Sequence, residues 1–128
     1  MKVLRAMASG DPPGLVIARA QGVFNVLNGL WPLVHMSSFE TVFGPKTDRW
    51  LVRTVGGLLL ANGIAQLCTG NGKAEVQQAG RIGLGSAATL TTIDLVYVGN
   101  GTLSRMYLLD AAAELLWITL WSRSRSKL

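Results

Sequence analysis

The chain has 128 residues, of which 49% are hydrophobic and only 15% are charged, and its formal net charge is +5. A soluble globular domain has a similar apolar content but about 25% charged residues, so the missing charge argues against a water-soluble protein. A soluble bundle of this size would also have to hide nearly every Leu, Val and Ile from water. The length predicts a single domain over residues 1–128.

Four apolar stretches fill most of the chain, at about residues 14–36, 50–70, 81–98 and 107–122. A helix needs about 20 residues to cross the hydrocarbon core of a bilayer. The sequence therefore predicts an all-α fold, a four-helix transmembrane bundle of up-down topology that forms one integral membrane domain.

The first stretch carries a polar stripe of Gln21, Asn25 and Asn28, whose spacing places them in one narrow sector of a helix. Amides that face lipid are costly, so we expect this stripe to face other helices or water. Two interpretations stay open: hydrogen bonding between helices, and a path for a ligand or proton.

Glycines repeat on one face of the first two stretches, where Gly22 and Gly29 are seven residues apart, as are Gly56 and Gly63. Seven residues make about two helical turns, so each pair lines one face. Small residues let helices approach closely in lipid, and we expect these four glycines to mediate helix packing. A seam between copies of the chain is the alternative use.

The segment between the first two stretches predicts a short amphipathic turn over Phe39, Val42 and Phe43. Farther along, Cys68 is the single cysteine, which excludes an internal disulfide. Its apolar neighbours predict a buried and unreactive thiol.

Ionisable residues inside the apolar stretches are the strongest candidates for a functional site. An up-down bundle brings His35, Arg53, Asp94, Asp110 and Glu114 to the same membrane face. Such residues are functional-site candidates because lipid disfavours them. Two carboxylates about 6 Å apart, as at i and i+4, repel by roughly 3 kcal/mol at an effective dielectric of 20. Either one of Asp110 and Glu114 is protonated, or a cation lies between them.

Arg53 is the expected counter-ion of these acids, with Arg105 as the second choice. The cluster has several interpretations: structural ion pairs, a site for a small polar or amphiphilic ligand or a headgroup, or a proton-coupled step. A single histidine with no second nitrogen or thiol ligand nearby argues against zinc, so no metal and no cofactor are predicted.

Loop charge predicts the orientation, with both termini in the cytoplasm. Seven basic residues fall on the side of the termini and four on the other side; the seven are Lys2, Arg5, Lys73, Arg81, Arg123, Arg125 and Lys127. The basic tail beside Trp117 and Trp121 is typical of an anchor at the headgroups. Because the basic residues flank apolar segments, the net charge indicates membrane contact rather than nucleic-acid binding.

The overall layout resembles small bacterial four-span membrane proteins of the DoxX-like kind. The resemblance rests on Arg19 early in the first span, Trp31-Pro32 at its exit, the segment Arg53-Thr54-Val55-Gly56-Gly57, and Asp110 with Glu114 in the fourth. It implies an accessory membrane subunit linked to quinone-associated or redox-coupled complexes, and it assigns no catalytic residue.

These observations predict a multi-pass protein of the inner (plasma) membrane whose partners are the lipid bilayer and a membrane protein or second copy. The favoured function is a non-enzymatic accessory or structural subunit. The alternative is a small-ligand or lipid binder or transporter that uses the acid cluster, and the third is a membrane-embedded enzyme acting on an amphiphilic substrate.

Overall fold

The computed structural model describes residues 13–44 and 48–126, and the ordered elements of this part are all helices. They are α1 (Pro13–Val34), α2 (Met36–Phe43), α3 (Arg49–Leu67), α4 (Lys73–Gly99) and α5 (Tyr107–Ser126). The all-α prediction is confirmed for these residues. The prediction of orientation also used three basic residues that lie outside the described part of the chain, namely Lys2, Arg5 and Lys127.

The four long helices run alternately up and down, with α1 in contact with the other three. α1 packs most extensively on α3, and α4 on α5, whereas α3 and α4 touch only slightly. At the proximal end, where α1 begins, Gly14 lies against Val76 and Trp121. We call the opposite end, where α1 finishes, the distal end.

The α1–α3 contact is a close approach of two backbones. A Cβ on Gly22 would lie 2.8 Å from the carbonyl oxygen of Gly63, and a Cβ on Gly63 would lie 2.7 Å from that of Gly22. Gly29 and Gly56 face each other in the same way two turns farther along. Side chains at these four positions would hold the helices apart, so glycine is what permits this spacing.

The helix α2 covers the distal end of α1. His35 lies between the two helices, and its Nδ1 accepts a hydrogen bond from the backbone N–H of Ser38 at 3.2 Å. Trp31 donates from its indole nitrogen to the hydroxyl of Ser38 at 2.8 Å. The amphipathic turn expected here is thus a two-turn helix, fastened to α1 by its first residues.

Polarity is inverted in the described residues. Three large apolar side chains are fully buried, namely Leu15, Val76 and Trp121, whereas nineteen large hydrophobic residues are exposed. The buried polar residues are Gln21, Asn25, Gln66, Thr69, Thr91, Asp94, Glu114 and Ser124. The interior of this bundle is therefore more polar than much of its surface.

Of the helices in residues 13–44 and 48–126, α4 alone is long and apolar enough to cross a membrane by length and composition. The three other long helices fail this test because amides, arginines or acids lower their mean hydropathy.

Candidate functional site

A chain of buried hydrogen bonds joins the four long helices. Asn25 on α1 donates to the side-chain oxygen of Gln66 on α3 at 2.8 Å, and Gln66 donates to the side-chain oxygen of Gln21 at 2.8 Å. The same oxygen of Gln21 accepts from the indole nitrogen of Trp121 on α5 at 2.7 Å. Gln21 in turn donates to the backbone oxygen of Gly83 on α4 at 3.2 Å.

This amide network involves two of the three residues of the predicted polar stripe. Gln21 and Asn25 are buried, while Asn28 is only half-buried. The amide oxygen of Gln21 already accepts two hydrogen bonds, so it has little capacity left for a ligand. The contacts correspond to the interhelical interpretation of the stripe rather than to a ligand path at this level.

Trp121 was expected at the headgroups but is 2% exposed, and it fills the proximal core with Leu15, Ala18, Val76 and Ala79. The anchor interpretation is wrong for this tryptophan. A tryptophan can be buried where its N–H finds an acceptor, and Gln21 supplies that acceptor.

A second polar cluster lies between α4 and α5 toward the distal end. Asp94 on α4 and Asp110 on α5 are close enough to share a hydrogen bond between their carboxyl groups. Glu114 lies one turn farther along α5 and is within electrostatic range of both. Asp94 is 3% exposed and Glu114 is 1% exposed, while Asp110 is half-buried.

This carboxyl cluster (Asp94, Asp110 and Glu114) has unsatisfied atoms. One carboxyl oxygen of Asp94 and both of Glu114 are buried without a hydrogen-bond partner, and so is the indole nitrogen of Trp117. Buried polar atoms in folded proteins are nearly always paired, so three orphaned carboxyl oxygens in one place need an explanation.

The expected counter-ion does not reach the cluster. Arg53 is exposed on α3, and α3 has no substantial packing against α5, because α1 lies against both. Arg53 is at the right depth, one turn before Gly56, but on a different side of the bundle. Arg105 is exposed in the turn before α5. The prediction of an arginine between the acids therefore does not match this geometry.

His35 is also apart from the carboxyl cluster, since it is exposed and serves as the cap of α2. The five residues that the sequence grouped thus separate into three acids within electrostatic range of one another, one arginine on an exposed face and one capping histidine.

An aromatic group covers the distal end next to the cluster. The ring of Phe43 lies 4.8 Å from that of Tyr107 and 5.6 Å from that of Trp31, centroid to centroid, and Phe39 packs against both Phe43 and Trp31. Tyr107 begins α5 and is within electrostatic range of Asp94 and Asp110.

A groove of about 510 Å³ lies between α3 and α4, on the side of the bundle where these two helices barely touch. It is lined mainly by apolar side chains, together with Asn62, Arg81, Ser86 and Thr89. Asn62 donates to the hydroxyl of Ser86 across it at 3.4 Å. The sequence did not predict this groove, because neither helix has a pattern that marks it.

Two further expectations concern metal ligands and the thiol of Cys68 in the described part of the chain. No group of three or more His, Cys, Asp or Glu side chains there is arranged to hold a metal ion. Cys68 is exposed at the end of α3, so the prediction of a buried thiol is wrong. It follows the last turn of the helix, where the chain leaves the bundle.

No protein-family model, curated protein or solved structure matches the chain. The resemblance to DoxX-like membrane proteins stays a prediction.

Proposed function

We propose that this chain is a multi-pass integral membrane protein in which the four long helices cross the bilayer and the carboxyl cluster is its ligand-binding site. The observation that carries the proposal is the inverted polarity of the described residues. A water-soluble fold would bury its leucines and expose its amides and acids, and this chain does the reverse.

Helix length supports this proposal. At 1.5 Å per residue, the 22 residues of α1 extend about 33 Å and the 27 residues of α4 about 40 Å. The hydrocarbon core is about 30 Å thick, so both can span it. α3 and α5, with 19 and 20 residues, are just long enough.

The low mean hydropathy of three helices has a structural cause that is compatible with lipid. Gln21 and Asn25 of α1, Gln66 of α3 and Glu114 of α5 lower the average, yet all four are buried inside the bundle. A window average does not distinguish an inward side chain from one that faces lipid. Lipid would meet the exposed leucines and valines instead.

Membrane association is tested by fractionating cells that express the full chain. We expect the protein in the membrane pellet after a wash in alkaline carbonate, and its release only by detergent. A chain that stays in the supernatant without detergent would overturn the proposal.

The role of the carboxyl cluster follows from what it lacks. Structural ion pairs would need a basic side chain between the helices, and Arg53 and Arg105 are both exposed elsewhere. Uncompensated acids in a bundle interior are costly, and a fold that needed only packing would gain by replacing them with apolar residues. Their presence favours a binding role over a purely structural one.

A second candidate function, an accessory subunit of a membrane complex, is favoured by the groove between α3 and α4. Gly85 lines this groove, and a Cβ added there would meet nothing within 4 Å. A helix of another membrane protein can pack closely against such a surface.

Purification in mild detergent tests the accessory role. The Gly85→Leu variant should lose a partner that co-purifies with the native chain, whereas Ala112→Leu on the exposed face of α5 should keep it. A native chain that purifies without any partner would count against this role.

A further inference from the structure

We propose that the carboxyl cluster of Asp94, Asp110 and Glu114 is a proton-binding site, held inside the bundle with at least one carboxyl in its neutral acid form. This inference rests on the proposed binding role of the cluster and names its ligand.

The close approach of two acids on different helices is the first argument. The carboxyl groups of Asp94 and Asp110 are within hydrogen-bonding reach of each other. A carboxylate has only acceptor oxygens, so two ionised groups cannot form such a bond, and one of the two must supply an O–H. A proton shared by this pair would link two side chains that belong to different helices.

The surroundings of Glu114 are the second argument. Its two oxygens are shut off from solvent and have no hydrogen-bond partner, and its side chain is within electrostatic range of Asp110. An ionised carboxylate in this position would have neither water nor a donor, whereas a neutral acid avoids most of that cost. The indole N–H of Trp117, also orphaned, is on the same face of α5, one turn away.

No basic group faces the cluster from the helices packed around it. Between Gln21 and Val34, α1 has no charged residue, and between Ile82 and Gly99 the single charged residue of α4 is Asp94. On α5 the neighbours are Tyr107, Asp110 and Glu114 themselves. Nearby on α2, Glu40 is paired with Arg49 at 2.7 Å.

The closed geometry selects the proton over other cations. The orphaned oxygens of Asp94 and Glu114 are buried without a hydrogen-bond partner, so a metal cation could reach them only after losing its hydration shell. The described acids also do not form a metal-holding group. A proton needs no room and no coordination shell, and chains of buried acids are a common means of holding protons in membrane proteins.

A hydrophobic carbodiimide tests the site directly, because this reagent reacts with protonated carboxyl groups in apolar surroundings. The carboxyl oxygen bonds to the central carbon of the reagent, and the acid proton moves to one of its nitrogens. The purified full chain in dodecyl maltoside is treated with dicyclohexylcarbodiimide at several pH values, and peptide mass spectrometry locates the adduct.

We expect the adduct on the carboxyl cluster, with Glu114 as the main site, and a yield that falls as the pH rises because ionised carboxylates do not add. The Glu114→Gln variant should lose that adduct and keep its helical content, since glutamine has nearly the shape of the neutral acid. Glu75, which is exposed at the start of α4, is the matched control. The Glu75→Gln variant should label as the native chain does.

Labelling of Glu75 in preference to the cluster, or a yield at the cluster that does not fall as the pH rises, would overturn the proton site. Failure of membrane placement gives a different result. The chain would then be found in the carbonate supernatant, and carbodiimide would still label the cluster, because burial within the fold keeps it from water.

Discussion

Substituting Gly63 by alanine probes the close contact between α1 and α3. The new Cβ would lie 2.7 Å from both the carbonyl oxygen of Gly22 and the backbone nitrogen of Val26, whereas ordinary contacts begin near 3.4 Å. The helices must therefore separate by about 0.7 Å, since these neighbours are backbone atoms of α1 and cannot rotate away. Overpacking of this kind typically costs about 1–3 kcal/mol.

Gly57 on the same helix is the matched control. A Cβ added there would meet nothing within 4 Å, so Gly57→Ala changes helix propensity without adding a clash. Alanine is favoured over glycine inside a helix by about 1 kcal/mol, so this variant should be neutral or more stable than the native chain. The two variants thus have opposite expected signs from the same chemical change.

Equilibrium unfolding in mixed micelles, followed by circular dichroism at 222 nm, measures both free energies. Equal effects of the two substitutions, or a Gly63→Ala variant as stable as the native chain, would refute the close-packing argument. Separating α1 from α3 would also stretch the hydrogen bond between Gln66 and Gln21. Part of the loss in stability of Gly63→Ala is therefore expected to come from the amide network.

Three further predictions concern the network, the aromatic group and the orientation. Gln21→Leu should lower the free energy of unfolding by about 1–3 kcal/mol for each buried donor that it leaves without an acceptor. The control Gln77→Leu, at an exposed position, should change this free energy little. A small loss for Gln21→Leu would contradict the network. Phe43→Ala should cost about 0.5–1.5 kcal/mol per lost ring contact, measured by the same unfolding assay, and no change would show that these rings do not stabilise the distal end. An impermeant maleimide should label Cys68 in inside-out vesicles, and it should label a Thr102→Cys variant that lacks Cys68 in intact cells. Both positions are exposed in turns, and the two turns lie at opposite ends of the bundle. Labelling of both positions from the same side would refute the up-down arrangement across the bilayer.

Local pattern was sufficient to predict where helices form. The apolar stretches predicted at about residues 14–36, 50–70 and 107–122 correspond to α1, α3 and α5 within about four residues at each end. α4 begins at Lys73, before the apolar stretch starts, because the polar residues that precede the stretch also favour a helix. Helix formation depends on neighbours in the sequence, so one chain can reveal it.

The glycine faces were also visible in the sequence, since a spacing of seven marks one side of a helix. The pattern does not say which helix approaches that side. Gly22 opposite Gly63 and Gly29 opposite Gly56 follow from the antiparallel register of α1 and α3, and only the tertiary structure fixes that register.

For the candidate site, too, the sequence predicted one part of the geometry and the tertiary structure decided the rest. The sequence determined the depth of Asp94, Asp110, Glu114 and Arg53, because depth is a count of residues from the ends of each helix. The angle around the bundle axis depends on which helices are neighbours. The tertiary structure placed α1 against both α3 and α5, and so left Arg53 away from the acids that it was expected to neutralise.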